Sequence, residues 1–407
     1  MNYTIETIAG IDCIFAPMQD TNSVTIQIMC RAGNIYEAPE FNGISHFLEH
    51  NFFKGGKKYP TPKEVAEAVD RFGGEFNAGT GTEAVNYYVK CAPNFAEQAL
   101  DVLADMMMNA QFPVDELEKE KGVVIQELKM YEDEPTAQVA EKWQQRYFGE
   151  NSYGRPIIGT IKNILSFDQQ KLRQYKEALY TKDNLIIVVA GKILDEEKMK
   201  KLIEQYFAGL KAERSLSKPD FSFFQPTEHE SFFEKKTEQQ HLIISGRGLS
   251  GQQEQKYSAR VLATILGGNM SSRLFQNIRA KQGLCYYISA GHSARTDFGD
   301  FVIRAGIDKE RFDFGVARIF EEIESIAKGE ISLTEFHNAI GFLNGQYQMG
   351  IESSDEMADF LGGQYLQLGK IETLEDILGK INAIKLDDIL EVSQRLKRDN
   401  LFLYYVK

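Results

Sequence analysis

The sequence predicts an α+β fold of two similar domains, each a mostly antiparallel sheet packed on one side by helices. The chain has 407 residues, which is too long for one ordinary domain. Strand-like alternation and helix-like periodicity interleave along it, and a similar order returns in the second half. Between the halves, residues 209–233 are polar and show no periodicity. We therefore expect domains at 1–208 and 234–407, joined by a linker at 209–233, with duplication as the economical interpretation.

The first domain opens with an alternation typical of a strand. Further strands are predicted at 23–33, 84–91 and 184–191, and the last of these is short, apolar and therefore central in its sheet. Helices are predicted at 42–54, 62–72 and 94–109, from 113 to about 131, and in a segment that ends near 207. Thr61 before Pro62, with Glu64 three residues after Thr61, predicts a capping box for the second helix.

The second domain shows the same mixture of elements at a similar length. Strands are predicted at 241–248, 285–294, 300–307 and 401–407. Helices are predicted at 253–266, 271–281 and 309–328.

Composition and charge narrow the function classes. The net charge is -13, which argues against a nucleic-acid partner because such proteins carry a basic face. No run of eighteen apolar residues occurs, so no membrane span is expected, and the N-terminus does not resemble a signal peptide. The four cysteines are scattered without a C-x-x-C pair, which is typical of a protein in the reducing cytoplasm: Cys13, Cys30, Cys91 and Cys285.

The segment 43–56, GISHFLEHNFFKGG, holds two of the six histidines. On a helical wheel its apolar residues cover one face, and His46, Glu49 and His50 cover the other. The two histidines are one turn apart, so both rings reach a single point above the helix. Zinc accepts such nitrogen ligands, and H-x-x-E-H is a zinc-protease pattern in which the glutamate takes a proton from water. The alternative is a solvated helix face that happens to carry two histidines.

A third ligand must come from another element. The predicted helix after Pro113 offers Glu120 and Glu127, which are two turns apart and share a face. Val123 and Val124 lie near that face and indicate partial burial, where a carboxylate needs a partner charge or a metal. The remaining glutamates of this region lie in charge-rich surroundings and are interpreted as exposed: Glu116, Glu118, Glu132 and Glu134.

These residues resemble the metal-site motifs of the pitrilysin/insulysin family of zinc peptidases, in its short two-domain branch related to mitochondrial processing peptidase. In that family a glutamate ligand follows the second histidine by 77 residues, and Glu127 stands at that distance here. The resemblance implies that His46, His50 and Glu127 bind zinc. It implies that Glu49 is the general base. A second family glutamate matches Glu120, which would hold a ligand histidine or the catalytic glutamate in place.

The resemblance covers nearly the whole chain. GGEFNAGTGTEAVNYYVK is similar to the segment whose strand edge binds the substrate backbone, with Asn77 and Ala78 at the matching positions. LGGNMSSRLFQNIRAKQGLCYYISA resembles a second-half signature that contains an arginine and a tyrosine seven residues apart, here Arg279 and Tyr286. The family uses this pair to grip substrate and to steady the oxyanion of the tetrahedral intermediate.

The resemblance therefore implies a zinc-dependent endopeptidase with a processing-peptidase-like metallohydrolase fold. The expected substrates are unfolded or short peptides, added as a β-strand near Asn77. A homodimer with Arg279 and Tyr286 supplied in trans is also implied. A non-catalytic scaffold or partner subunit is the alternative, and the ligand types leave iron, cobalt or manganese open. Asn51, where the family usually has methionine, is expected to alter packing only, and His292 is expected to be structural.

Overall fold

The computed structural model describes residues 1–221 and 226–407, so residues 222–225 of the expected linker lie outside the described part. In chain order the strands are β1 (Thr4–Ile8), β2 (Ile11–Pro17), β3 (Val24–Cys30), β4 (Glu75–Thr80), β5 (Val85–Cys91), β6 (Leu185–Gly191), β7 (Glu230–Phe233), β8 (Gln239–Arg247), β9 (Cys285–Ala294), β10 (Gly299–Asp308) and β11 (Leu401–Val406).

The α-helices are α1 (Ile44–Phe52), α2 (Pro62–Asp70), α3 (Ala96–Met108), α4 (Val114–Asp133), α5 (Pro135–Phe148), α6 (Ile161–Ser166), α7 (Gln169–Leu179), α8 (Glu196–Phe207), α9 (Lys256–Ala263), α10 (Phe312–Ala327), α11 (Leu333–Met349), α12 (Ser354–Leu368), α13 (Leu374–Ala383) and α14 (Leu386–Ser393). Two segments have the wider turns of a π-helix, Thr264–Gly268 and Phe275–Ala280. The N-cap predicted for α2 is confirmed, because the side chain of Thr61 accepts the Glu64 N–H at 3.2 Å. The predicted capping box is not completed, since the Glu64 carboxylate accepts the Thr61 hydroxyl at 2.7 Å.

The chain packs as two units that do not follow a single boundary. The first unit contains Met1–Lys129, Arg155–Asp220 and Gly350–Ile371. The second contains Met130–Gly154, Phe221–Met349 and Glu372–Lys407. Residues 130–154 and 350–371 thus pack outside the sequence half in which they stand. The predicted ranges 1–208 and 234–407 describe sequence halves, whereas the packing units exchange these two segments.

Each unit is built on a mostly antiparallel sheet, as predicted. The strand order is β1-β2-β6-β3-β5-β4 in the first unit and β7-β11-β8-β10-β9 in the second. Two strand pairs are parallel, β2 with β6 and β7 with β11. The other strand pairs of the described ranges are antiparallel. The prediction that residues 184–191 form a central strand is confirmed, because β6 lies between β2 and β3 and is buried along its whole length.

The two sheets repeat one topology. Without β1, the strand order of the first sheet is β2-β6-β3-β5-β4, and adding five to each number gives the order of the second sheet, β7-β11-β8-β10-β9. The parallel pair β2–β6 corresponds in the same way to the parallel pair β7–β11. β4 and β9 are therefore equivalent edge strands. Helix α2, the last helix before β4, corresponds to the π-helical turn Phe275–Ala280, the last before β9, and α1 corresponds to α9. This agreement supports the duplication inferred from the sequence.

Helices cover both faces of the first sheet, so the prediction of a sheet packed on one side is wrong. α3 packs against β3 and β5, and α12 packs against β2, β3 and β6. α12 buries Leu361 and Leu366 against a sheet face that includes Met29 and Val188. The residues that alternate with that face, such as Ile28, are also fully buried. The sequence did not indicate that α12 covers the second face of this sheet, because α12 begins more than 160 residues after the end of β6.

The second sheet is also covered on both faces. Ile244 and Leu403 belong to a core formed with α9, α10 and α14. On the opposite face, Trp143 of α5 donates to Ser245 Oγ at 2.8 Å. The third helix after β5 therefore packs in the second unit, and the third helix after β10 packs in the first. Within the described ranges no helix has the length and apolar character needed to cross a membrane.

Candidate metal centre

The first turn of α1 is fixed by a glycine and a buried carboxylate. Gly43 has a φ of 97°, and a Cβ there would lie 2.6 Å from the carbonyl oxygen of Ile158. The Glu37 carboxylate accepts the backbone N–H groups of Gly43 and Ser45 at 2.7 and 2.9 Å. Because the first N–H groups of a helix have no partner inside it, Glu37 caps α1 and fixes its start.

The two faces of α1 are those that the helical wheel predicts. His46, Glu49 and His50 are partly buried on one face. The apolar residues of the other face are each at most 1% exposed: Ile44, Phe47, Leu48 and Phe52. Burial of this apolar face holds the polar face in one orientation.

Two histidines of α1 and one glutamate of α4 converge on a point. Ligand atoms of His46, His50 and Glu127 all lie within 4.8 Å of one another. The Nε2 atoms of the two histidines lie 3.7 and 3.5 Å from the two carboxylate oxygens of Glu127. Ligand atoms of a tetrahedral zinc are about 3.3 Å apart when each lies about 2.0–2.1 Å from the metal. Two imidazoles and one carboxylate at this spacing fit a zinc site with a fourth position for water.

Glu120 contacts His50 from the side of the ring opposite the cluster, at Nδ1 and not at Nε2. Its side chain is 6% exposed, and Oε1 lies 2.7 Å from His50 Nδ1. An ionised carboxylate accepts, so Nδ1 carries the proton and the Nε2 lone pair of His50 faces Glu127. The other oxygen, Oε2, lies 2.6 Å from Lys54 Nζ. Glu120 and Glu127 thus have different contacts, as the family resemblance implies.

Glu49 is held by the end of the edge strand β4. Thr80, the last residue of β4, donates its hydroxyl to Glu49 Oε2. The Glu49 carboxylate interacts electrostatically with both His50 and Glu127, so it lies beside the cluster. A carboxylate in that place is positioned to accept a proton from a water molecule held at the cluster.

Burial and neighbouring charges shift the pKa values of this group in different directions. Burial lowers the pKa of His46 to about 4, and the nearby His50 adds to that shift. Burial also lowers the pKa of His50, but its hydrogen bond to Glu120 and the surrounding carboxylates outweigh burial and raise it. Burial raises the pKa of Glu49. The pKa of Glu120 is raised by burial but lowered overall by its hydrogen bonds to His50 and Lys54. Glu120 is therefore ionised near neutral pH, and His46 is neutral and free to bind a metal.

The predicted substrate-binding residues lie on β4, at one end of the first sheet. Asn77 pairs with Tyr88 and Ala78 with Tyr87 of β5, and no described strand pairs with the other side of β4. The backbone N–H of Ala78 donates to the side-chain oxygen of Asn77 at 2.9 Å. The same strand thus carries an open edge and, at Thr80, the contact to Glu49.

Arg279 and Tyr286 lie together in the second unit. Arg279 belongs to the π-helical turn before β9, and its guanidinium carbon lies 5.5 Å from the ring centre of Tyr286. It also lies 4.7 Å from the ring centre of Phe275. Tyr286 is 77% exposed on the edge strand β9. The two rings attract the guanidinium through cation–π contacts, and the neighbouring phenol stays accessible.

His292 and Asn51 make packing and hydrogen-bond contacts outside the metal cluster. His292 accepts the N–H of Leu249 at Nε2, at 2.9 Å, and its ring packs against Phe301. Burial lowers the pKa of His292 to about 3, with nearby arginines acting in the same direction. Asn51 is fully buried and donates to the Phe47 carbonyl at 2.6 Å. These contacts agree with the structural roles expected for both residues.

Sequence reasoning did not single out Lys54 or Thr80. Lys54 carried a signal, because it stands four residues after His50, at the spacing that separates His50 from His46. Thr80 carried a weaker one, as it follows Asn77 and Ala78 in the segment that resembles the family's substrate strand. Neither spacing indicates which carboxylate each residue contacts.

Comparisons with known proteins agree with this geometry. Residues 15–161 match the family described as insulinase (peptidase family M16), and residues 166–343 match the peptidase M16 inactive domain. A Bacillus subtilis protein named uncharacterized zinc protease YmxG is 37% identical over 390 residues, 95% of this chain and 93% of the relative. A Rickettsia bellii uncharacterized zinc protease is 34% identical over 391 residues, with the same two coverages of 95% and 93%.

A solved structure shares the fold. A protease from Helicobacter pylori superposes with a TM-score of 0.91 at 20% identity, over 100% of this chain and 99% of that one. The fold and the histidine–glutamate cluster are those of the two-domain metallopeptidase class. The relatives identify the family within this class. The chain belongs to the insulinase family, peptidase family M16, which confirms the resemblance inferred from the sequence.

Proposed function

We propose that the protein is a zinc-dependent endopeptidase. The observation that carries this proposal is the convergence of His46, His50 and Glu127 beside the carboxylate of Glu49. Relatives named zinc proteases support the same activity and the same metal. Zinc in such a site supplies Lewis-acid chemistry that polarises a carbonyl and lowers the pKa of water.

The residues of the chain then have separate roles in hydrolysis. Glu49 takes the proton of the attacking water and returns it to the leaving amine, so that the peptide bond yields a carboxyl and an amino group. The Thr80 hydroxyl holds the Glu49 carboxylate in one orientation. Arg279 and Tyr286 supply donors for the substrate and for the developing oxyanion. Tyr286 suits this role because it is exposed and contacts the guanidinium of Arg279.

The substrate is an unfolded or short peptide, bound as an added strand along β4. The open side of β4 and the pairing of strands by main-chain hydrogen bonds support this mode. In the free protein the Ala78 N–H donates to Asn77 Oδ1, and a substrate carbonyl would replace that acceptor. Main-chain recognition of this kind tolerates many sequences.

A homodimer with Arg279 and Tyr286 supplied in trans remains a proposal. The support is the resemblance to the short two-domain branch of the family. In such a twofold arrangement each chain would contribute to two composite sites.

The alternative is a non-catalytic, peptidase-like scaffold or partner subunit. The match of residues 166–343 to a family described as inactive favours it for the second half of the chain. The complete cluster in the first half favours catalysis. Activity measurements decide between the two.

The deciding experiment compares the wild type with Glu49→Gln on a panel of quenched fluorescent peptides, with zinc content measured in both. We expect the variant to keep zinc and the fold but to lose about 10²–10⁴-fold in turnover, because an amide cannot accept the proton. Retention of more than roughly a tenth of wild-type turnover would contradict the general-base role. Bound zinc without peptide cleavage by the wild type would favour the scaffold.

A further inference from the structure

We propose that Lys54 is a positioning residue of the metal centre, which acts through Glu120 to hold His50 in the tautomer and orientation that bind zinc. This inference rests on the proposed function, since it takes zinc as the metal. It goes further by assigning a role to a lysine that is not itself a ligand.

The backbone places Lys54 on the histidine side of α1. The helix ends at Phe52, and the Lys54 N–H then donates to the carbonyl of Asn51 at 3.2 Å, which continues the turn beyond the helix end. Lys54 therefore follows His50 by about one turn, as His50 follows His46. Its side chain is only 20% exposed, although lysines on protein surfaces usually extend into water.

Glu120 joins Lys54 to His50. One carboxylate oxygen lies 2.7 Å from His50 Nδ1, and the other lies 2.6 Å from Lys54 Nζ. A carboxylate held at both oxygens has one orientation, so the acceptor that fixes the ring of His50 is itself fixed. The partners of a metal-bound histidine set which nitrogen carries the proton and therefore which nitrogen can bind the metal.

Charge balance also points to Lys54. The centre contains the carboxylates of Glu49, Glu120 and Glu127, and Glu120 is nearly buried, with 6% of its side chain exposed. Across the described ranges, no lysine or arginine other than Lys54 forms an ion pair with any of the three. Removing one partner of a buried charge pair leaves the other charge uncompensated and costly. Without Lys54, the Glu120 carboxylate would turn toward water and would no longer hold the ring of His50.

The test uses four variants at two lysines, each first checked for native circular dichroism without metal. Lys54→Met removes the charge but keeps the length, Lys54→Gln is a second neutral variant should the first not fold, and Lys54→Arg keeps the charge. Lys57→Met is the matched control, since Lys57 is exposed three residues away. Zinc affinity is measured by competition with a chromophoric chelator. Cobalt(II) is added separately, and its visible absorption reports on the ligand geometry.

We expect the neutral Lys54 variants to bind zinc about tenfold more weakly and to shift the cobalt spectrum, in line with the loss of an outer-shell partner. Lys54→Arg should stay within about threefold of the wild type, and Lys57→Met should not differ from it. Unchanged affinity in Lys54→Met, or equal losses in Lys54→Met and Lys54→Arg, would overturn the inference. Weak zinc binding by the wild type itself would instead count against the proposed function.

A double-mutant cycle tests whether Lys54 acts through Glu120. If it does, Lys54→Met combined with Glu120→Gln should bind zinc about as well as Glu120→Gln alone, because the pathway is already broken. Losses that multiply in the double variant would show that Lys54 acts independently of Glu120. A lower melting temperature of the metal-free Lys54→Met protein, with unchanged zinc affinity, would assign the lysine a structural role only.

Discussion

Glu120 and Glu127 are seven residues apart on one helix, yet they have different partners. Glu127 meets the two Nε2 atoms of the histidines, whereas Glu120 meets Nδ1 of His50 and the ammonium of Lys54. We expect Glu127→Gln to lose zinc far more severely than Glu120→Gln, because only the first removes a charged ligand. Loss of the outer partner costs about 10–100-fold in affinity or activity.

Zinc occupancy after dialysis against a graded series of weak chelators measures this difference. Glu116→Gln, on the same helix and outside the cluster, is the control and should match the wild type. Equal occupancy in the Glu120 and Glu127 variants would show that the two roles have been assigned wrongly.

His292 makes the second unit sensitive to acid. Its folded pKa of about 3 lies below its ordinary value of 6.5, so the folded state binds this proton less readily than the unfolded chain does. The stability that the neutral ring contributes is complete above pH 6.5 and is lost as the pH falls toward 3. Roughly 2 kcal/mol of this contribution should be lost by pH 5.

His292→Gln should therefore lose less stability than the wild type between pH 7 and pH 5. Its amide oxygen can still accept the N–H of Leu249, but the side chain does not titrate. Urea unfolding followed by the fluorescence of Trp143, the single tryptophan, reports on the second unit. His337→Gln, at an exposed position of α11, is the matched control. The same pH dependence in His292→Gln and the wild type would refute this account.

The residues of the cluster could be predicted because their spacing within a helix fixes their relative positions. His46, Glu49 and His50 share a face of α1 for that reason alone. Glu127 was proposed together with Glu120 from their shared helix face, and the resemblance then indicated Glu127 as the ligand. Lys54 and Thr80 could not be assigned to their carboxylates, since those contacts join segments 66 and 31 residues apart. Local periodicity carries no information about such pairings, which depend on how α4 and β4 pack beside α1.

At the scale of elements, two adjacent glycines of α12 test whether this helix covers the first sheet. A Cβ on Gly362 would lie 2.5 Å from Met29 Sδ and 2.9 Å from Val188 Cγ2, whereas a Cβ on Gly363 would meet nothing within 4 Å. Gly362→Ala should therefore destabilise the protein by about 1–3 kcal/mol through overpacking. Gly363→Ala should stabilise it by up to about 1 kcal/mol, as alanine favours a helix interior.

Scanning calorimetry of the two variants beside the wild type measures both effects. Because the substitutions are chemically identical and adjacent, each serves as the control for the other. Equal shifts in melting temperature would mean that α12 does not approach the sheet closely at Gly362.

Strands and helices with strong periodicity were predicted close to their observed bounds, such as Cys285–Ala294 for β9. The segments 135–148 and 354–368 were not assigned as elements. Their role depends on long-range packing, because α5 and α12 each cover a sheet formed mainly by the other half of the sequence. A helix with an apolar face indicates that something must cover it, but not which sheet does so.

At the scale of the whole molecule, mixing two inactive variants tests the proposed homodimer. Glu49→Gln lacks the general base, and Arg279→Ala lacks the second-half donor. After subunit exchange about half of the dimers are mixed, and in each of these one site is whole if Arg279 acts in trans. Roughly a quarter of wild-type peptidase activity should then return.

Exchange is verified by native mass spectrometry of differently labelled subunits. If each chain instead supplied Arg279 to its own zinc site, every site would keep one defect. A flat activity after verified exchange would therefore exclude trans assembly, while the zinc chemistry proposed for His46, His50 and Glu127 would stand.

The position of α12 in the chain also bears on synthesis by the ribosome. The last strand of the first sheet ends at Gly191, but the helix that covers one of its faces ends at Leu368. At translation rates of about 5–20 residues per second, roughly 10–35 s separate the two events. During that interval the sheet face around Met29 and Val188 lacks its cover in the nascent chain. An apolar surface exposed for so long is prone to aggregate unless a chaperone binds it.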